Sequence, residues 1–181
     1  MHLVMFDIDG TLTETVKVDD ECFVRSLTEV CGFTDIETDW SRYQHTTDSG
    51  IFVEIHEART GRPPSAAEIS HFRLHFVDLL VQASSESAFA PIQGASRLLS
   101  GLACSAEHRV SLSTGGWRDS ARLKMASAGM CFDDHPTASA EYDAEMARGQ
   151  HRDTVGTRRG SWCAEAPCGQ CRQNPDATRG D

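Results

Sequence analysis

The run Met5-Phe6-Asp7-Ile8-Asp9-Gly10-Thr11-Leu12-Thr13 places two carboxylates two residues apart, just past a short apolar stretch. If the chain is still extended there, alternate side chains share a face, and Asp7 and Asp9 can meet one substrate. Paired carboxylates suit metal and phosphoryl chemistry. One can bind a hard divalent cation while attacking phosphorus, and the other can handle the proton of the leaving group or of water. The competing reading of Asp-x-Asp-Gly is a calcium-type loop or a solvated turn. A calcium loop needs a Glu at its twelfth position and helices on both sides, whereas the twelfth position from Asp7 is Val18 and a strand-like run precedes.

Such a pair needs a rigid frame, and the periodicity of the chain supplies candidates for one. His2 to Phe6 is too short and apolar for a helix and ends near Gly10, which predicts a buried strand. Cys22, Phe23, Leu27 and Val30 fall at helical spacing within 19–30, with Gly32 placed as a stop. A second short helix is expected over 51–58. Ser65-Ala-Ala-Glu68 forms a capping box behind Pro63-Pro64, followed by one apolar stripe of Ile69, Phe72, Phe76, Leu79 and Leu80. Pro91 and Gly94 precede a helix through Leu98, Leu99 and Leu102. Val110 to Ser113 reads as a second core strand, and 117–128 as a helix stopped by Gly129. Strand, long helical insertion, helix, strand, helix is the order of an α/β core interrupted by a helical cap.

Composition narrows the function. The chain has 181 residues and a net charge of −10, with 17 Lys+Arg against 27 Asp+Glu. A general phosphate-backbone binder needs a basic face, so nucleic acid is not an expected partner. No apolar run reaches the ~18 residues of a membrane span, and the start lacks the pattern of a signal peptide, so a soluble, cytoplasmic protein is expected. Cys22, Cys31, Cys104 and Cys131 are widely scattered and read as free thiols. Residues 1–140 hold 11 basic and 20 acidic side chains and nearly all the Leu, Ile, Val and Phe. Residues 141–181 hold six Arg, three Cys, a single Val and no Leu, Ile or Phe. A segment of that composition cannot bury enough apolar surface to offset its ordering entropy, and is expected to be unfolded.

The run Asp7-Ile8-Asp9-Gly10-Thr11-Leu12 resembles the first motif of the haloacid dehalogenase superfamily, in its magnesium-dependent phosphatase branch. Arg109-Val110-Ser111-Leu112-Ser113-Thr114-Gly115-Gly116 is similar to the second motif, an apolar strand ending in Ser or Thr. The intervening hundred or so residues match the group with an inserted helical cap, as in phosphoglycolate phosphatases and β-phosphoglucomutases. The resemblance implies a Rossmann-like parallel sheet, with a partial α/β core over 1–12 and 90–140 and a helical cap over 13–89. It implies that Asp7 is the nucleophile that forms an aspartyl-phosphate and binds Mg²⁺. Asp9 would be the general acid/base, its backbone carbonyl also reaching the metal. Thr114 and backbone donors around Gly115 would hold the phosphoryl oxygens, a role suited to a short hydroxyl followed by glycines. The expected substrate is a small phosphorylated metabolite.

Two further motifs of that family are not identified in the sequence: a Lys or Arg that neutralises the phosphoryl and nucleophile charges, and a Gly-Asp-x-x-x-Asp-like turn completing the metal site. Lys124, ten residues after Thr114, reads as a solvated helix face. Arg148 is nearer the expected distance but in unmatched surroundings, and Asp143, Asp153, Asp176 and Asp181 follow no apolar strand. The C-terminal part of the core is therefore expected to be missing, with residues 141–181 an unrelated tail left by truncation or a frameshift, and His2–Phe6 left as a sheet edge. Cys163, Cys168 and Cys171 match the start of a plant-type iron–sulfur pattern that lacks its fourth cysteine, and are read as no metal site. A catalytically inactive relative that at most binds a ligand or partner is the alternative. A haloacid dehalogenase proper ranks third, since it needs neither the metal nor Asp9. The polar segment from Arg42 to Gly50 could present substrate-selecting groups or be a solvated loop. His56, His71, His75 and His108 lack a metal-type pairing and read as surface or part-buried side chains. No dinucleotide cofactor is expected.

Overall fold

A computed structural model describes residues 1–139. The readings for 141–181, including Arg148, the aspartates and the cysteine spacing there, lie outside the described residues. The elements run β1 (His2–Phe6), α1 (Val16–Cys31), a 3-10 turn (Trp40–Arg42), α2 (Asp48–Thr60), α3 (Ala66–Glu86), α4 (Ala95–Ala103), β2 (His108–Thr114), α5 (Arg118–Ser127) and β3 (Thr137–Ser139). The strands form one parallel sheet in the order β1-β2-β3. His2 lies opposite His108 and Phe6 opposite Leu112, while Leu112 to Thr114 pair with Thr137 to Ser139. Parallel neighbours require crossovers, and helices supply both: α1 to α4 between β1 and β2, α5 between β2 and β3. This is the α/β parallel-sheet architecture expected from the sequence.

Two apolar clusters hold the elements. In the first, Phe23 and Leu27 of α1 meet Phe52 of α2 and Phe72, Phe76 and Leu80 of α3. The second gathers Ile8 and Leu12, Leu99 of α4, Val110 and Leu112 of β2, and Met125 of α5. Trp117 at the N-cap of α5 belongs to the first cluster and stacks near Phe23 at 6.2 Å, so the loop after β2 is packed against the helices α1 and α3. The two ends of the long insertion meet: Glu14 N–H donates to the Ala90 carbonyl at 2.8 Å and Ile92 N–H to that of Leu12 at 2.9 Å. The capping box forms as its spacing requires, with Ser65 N–H donating to Glu68 Oε2 at 2.7 Å and Glu68 N–H to Ser65 Oγ at 3.3 Å. All five residues of the α3 stripe are buried. No helix among the described residues is long and apolar enough to cross a membrane.

Two expectations need correction. β1 is not a buried strand. Among the described residues it is the sheet edge that the missing later motifs lead one to expect, with Leu3 65% and Met5 58% exposed, because β2 pairs along one side and no described strand lies along the other. Burial of a parallel strand depends on cover from neighbours as much as on its own composition. β3 was not anticipated, since Thr-Ala-Ser after Pro136 carries neither alternation nor an apolar run.

Phe72 is fully buried and stacks on Phe52 with ring centroids 4.1 Å apart. Phe72→Ala should cost about 3–5 kcal/mol in urea unfolding, against less than about 0.5 kcal/mol for Ser70→Ala on the exposed face of the same helix.

Candidate active site

β1 delivers Asp7 at its last step, and the chain then turns rather than continuing extended. Leu12 and Thr13 N–H both donate to the Ile8 carbonyl, at 2.9 and 3.0 Å, and Gly10 takes a left-handed φ of 74°. Ile8 is fully buried and anchors this turn. Asp7 and Asp9 nevertheless line one cavity of about 340 Å³, together with Asp19, Asp48, Thr114 and Gly115. The two carboxylates serve it differently. Asp7 is exposed at its rim. Asp9 is turned inward, where its Oδ1 accepts from the Thr15 hydroxyl, itself 2.6 Å from that of Thr13.

β2 delivers Thr114, whose buried Oγ1 accepts the Gly116 N–H at 3.0 Å. Gly115 has no room for a side chain, since a Cβ there would lie 2.6 Å from the Thr46 carbonyl oxygen. The start of α2 is bound to this loop. Asp48 N–H donates to the Gly115 carbonyl at 2.9 Å, and Trp117 N–H donates to Asp48 Oδ2 at 3.3 Å. Within the polar segment 42–50, then, Thr46 and Asp48 face the cavity, while Arg42, Gln44 and His45 are exposed.

Lys124 overturns the reading of a solvated helix face. It is fully buried, with Nζ 2.9 Å from both Asp9 Oδ1 and Oδ2 and ion-paired with Asp19 Oδ1 in the first turn of α1. A buried cation therefore lies on α5, beside Asp9. Its position was legible, because Trp117, Ala121 and Lys124 stand four and then three residues apart on one helix stripe, and the first two are buried. Residue type argued the other way, as lysine is rarely buried unless paired. Asp19 and Asp48 went unrecognised because their partners are distant in the chain. His56 also departs from expectation: it is buried, with Nδ1 3.1 Å from the Arg62 carbonyl, and belongs to the α2–α3 junction rather than to the cavity.

Burial governs the charges. It pushes Asp19 up to about 6, with Lys124 opposing and Asp9 adding to the rise. It pushes Asp48 up to about 8, helped by the charge of Asp19. Burial also raises Asp7, partly offset by the Ile8 N–H. For Lys124 burial favours the neutral amine, but Asp19, Asp9 and Asp48 more than reverse this and hold it charged. Among the described residues no group of three or more His, Cys, Asp or Glu is placed to hold a metal ion. The Asp7 carboxylate exposed at the rim is an oxygen donor of the type magnesium takes.

No protein-family model and no curated protein matches the chain. Solved structures do. The fold is similar to that of a hydrolase from Pseudomonas syringae (TM-score 0.57, 15% identity, covering 77% of this chain and 60% of that one). A HAD hydrolase, family IA, variant 3, from Entamoeba histolytica gives a TM-score of 0.56 at 15% identity, covering 76% of this chain and 61% of that one. CbbY from Rhodobacter sphaeroides in complex with phosphate gives 0.54 at 20% identity, covering 76% and 62%. The chain thus spans about three-fifths of the length of the solved structures it matches. At these identities the likeness shows the fold alone: the α/β fold, with a parallel sheet, of those structures.

The raised carboxyls set the pH response of stability. With Asp48 at about 8 when folded and about 4 when unfolded, the folded chain holds a proton that the unfolded chain has released. Stability should therefore fall as pH rises through that window, with Asp19 contributing only to its lower part, up to about 6. Asp48→Asn should flatten the fall between about pH 6 and 8, as read from urea midpoints across the range.

Proposed function

We propose that the chain is a phosphohydrolase of a small phosphorylated metabolite that works through an aspartyl-phosphate at Asp7. The observation that carries this reading is the convergence of Asp7, the Asp9–Lys124 pair and the Thr114–Gly115 loop on one cavity. Asp7, exposed at the rim, is the carboxylate free to meet phosphorus. One of its oxygens bonds to phosphorus as the ester P–O bond breaks, and Asp9, which takes up a proton from solvent as substrate binds, gives that proton to the departing oxygen. Asp9 then takes a proton from the water that attacks the phosphorus of the acyl phosphate, which releases inorganic phosphate and restores Asp7. The Thr114 hydroxyl and the backbone of Gly115 receive the equatorial oxygens, where charge must be stabilised in a loose transition state, and the buried Lys124 ammonium holds Asp9 beside them.

Asp7, with the Asp9 carbonyl, would hold Mg²⁺, whose charge would offset that of the phosphoryl group. The residues 13–89 would act as a cap over a core of 1–12 and 90–140, consistent with the two apolar clusters and with the Trp117 contact that joins them. The phosphate complex of the similarly folded Rhodobacter sphaeroides protein supports phosphate as the recognised group.

Phosphate release from p-nitrophenyl phosphate, with Mg²⁺ and after its removal by EDTA, tests the reading. Asp7→Asn should lower turnover on the order of a thousandfold or more, since an amide is a poor nucleophile and a weaker metal ligand, and Asp9→Asn should slow it severely. Unchanged turnover in Asp7→Asn would contradict the assignment. No release by the unaltered chain would favour the alternative, a protein that binds ligand without turnover.

A further inference from the structure

Lys124 has one counter-ion too many. Asp9 meets the ammonium with both oxygens at 2.9 Å, which already makes a neutral pair. Asp19 adds a second carboxylate on the same ammonium, from α1, an element with no covalent tie to α5 near the site. Neutralising a buried lysine does not require it. Burying a surplus carboxylate costs stability, as the rise of Asp19 to about 6 despite the adjacent cation attests. Asp48 is the third acid near this ammonium, but its Oδ2 is taken by the Trp117 N–H.

What Asp19 supplies is direction. A lysine ammonium is a point charge on a flexible four-carbon stem and has no preferred orientation of its own. Held by Asp9 alone, Nζ can settle along that carboxylate and follow it. A second anchor on another element fixes Nζ behind the cavity, between the two acids that line it. We propose that Asp19 is a positioning residue: it anchors Lys124 to α1, and the anchored ammonium, which grips both oxygens of Asp9, fixes that carboxylate toward a phosphoryl group seated at Thr114 and Gly115. This rests on the phosphohydrolase reading above. It also means that Lys124 is correctly placed only while the first turn of α1 is seated against α5, so the site is completed by a residue of the helical insertion.

The chain has two lysines, Lys124 with no side-chain exposure and Lys17 with 90%, so chemical labelling reads the position of Lys124 against an internal reference. Full-length protein is treated briefly with acetic anhydride, and the Lys124 to Lys17 acetylation ratio is measured by mass spectrometry. Asp19→Asn should raise that ratio by about tenfold or more, while Asp19→Glu, which keeps the charge, should stay near the unaltered chain. With p-nitrophenyl phosphate, Asp19→Asn should lower kcat about 10–100-fold with KM within about threefold, and Asp19→Glu should recover most of kcat. An unchanged labelling ratio in Asp19→Asn overturns the proposal, and so does equal loss of kcat in the Asn and Glu variants, which would mark a packing role. If the unaltered chain hydrolyses no phosphomonoester, the phosphohydrolase reading fails, and the labelling ratio still decides whether Asp19 holds Lys124.

Discussion

A lysine ammonium without solvent contact is tolerable only where carboxylates face it, and much of the arrangement around the cavity follows from that requirement at Lys124. Asp9 must turn inward, which the chain achieves by folding Thr11, Leu12 and Thr13 back on the Ile8 carbonyl and capping the turn with the Thr13 and Thr15 hydroxyls. Asp7, on the other side of Ile8, is thereby left at the rim. Residues two apart in a strand would have been equivalent; the turn makes them different, one exposed and unpaired with the lysine, the other committed to it. That division matches what phosphoryl transfer asks of two carboxylates.

The same lysine ties the inserted helices to the sheet. Asp19 enters from α1, and the start of α2 is bound through Asp48 to the loop that follows β2. Trp117, one residue beyond that loop, is packed among the aromatic rings of α1 and α3. Gly115 permits the close approach, since any side chain there would collide with the Thr46 carbonyl. The loop that follows β2 is therefore shaped from both sides. Its own chain brings Thr114 to the end of a strand, and Thr46 and Asp48 pack against the glycines that follow.

Much of this was readable before the structure. The Asp7-x-Asp9 pair after an apolar run marked the end of the strand and two carboxylates that line one cavity, and the Ser65 capping box with its stripe located α3, because those signals are local. Lys124 was misread because residue type outweighed position, although it shares a stripe with Trp117 and Ala121. Asp19 and Asp48 had no local signal at all, since the groups they meet, Lys124 and the Gly115–Trp117 loop, lie far along the chain. The exposure of β1 could not come from its own five residues, for burial of a strand is set by what lies beside it.

Phosphorylation of Asp7 itself is the most direct test of the arrangement around Lys124. The unaltered protein is incubated with acetyl phosphate and Mg²⁺, quenched in acid, and its peptides are read by mass spectrometry. One phosphoryl group on the peptide that carries Asp7, lost on treatment with hydroxylamine as an acyl phosphate should be, is the expected result. A phosphoryl group on any other residue, or none at all under conditions where the protein hydrolyses phosphomonoesters, would contradict it.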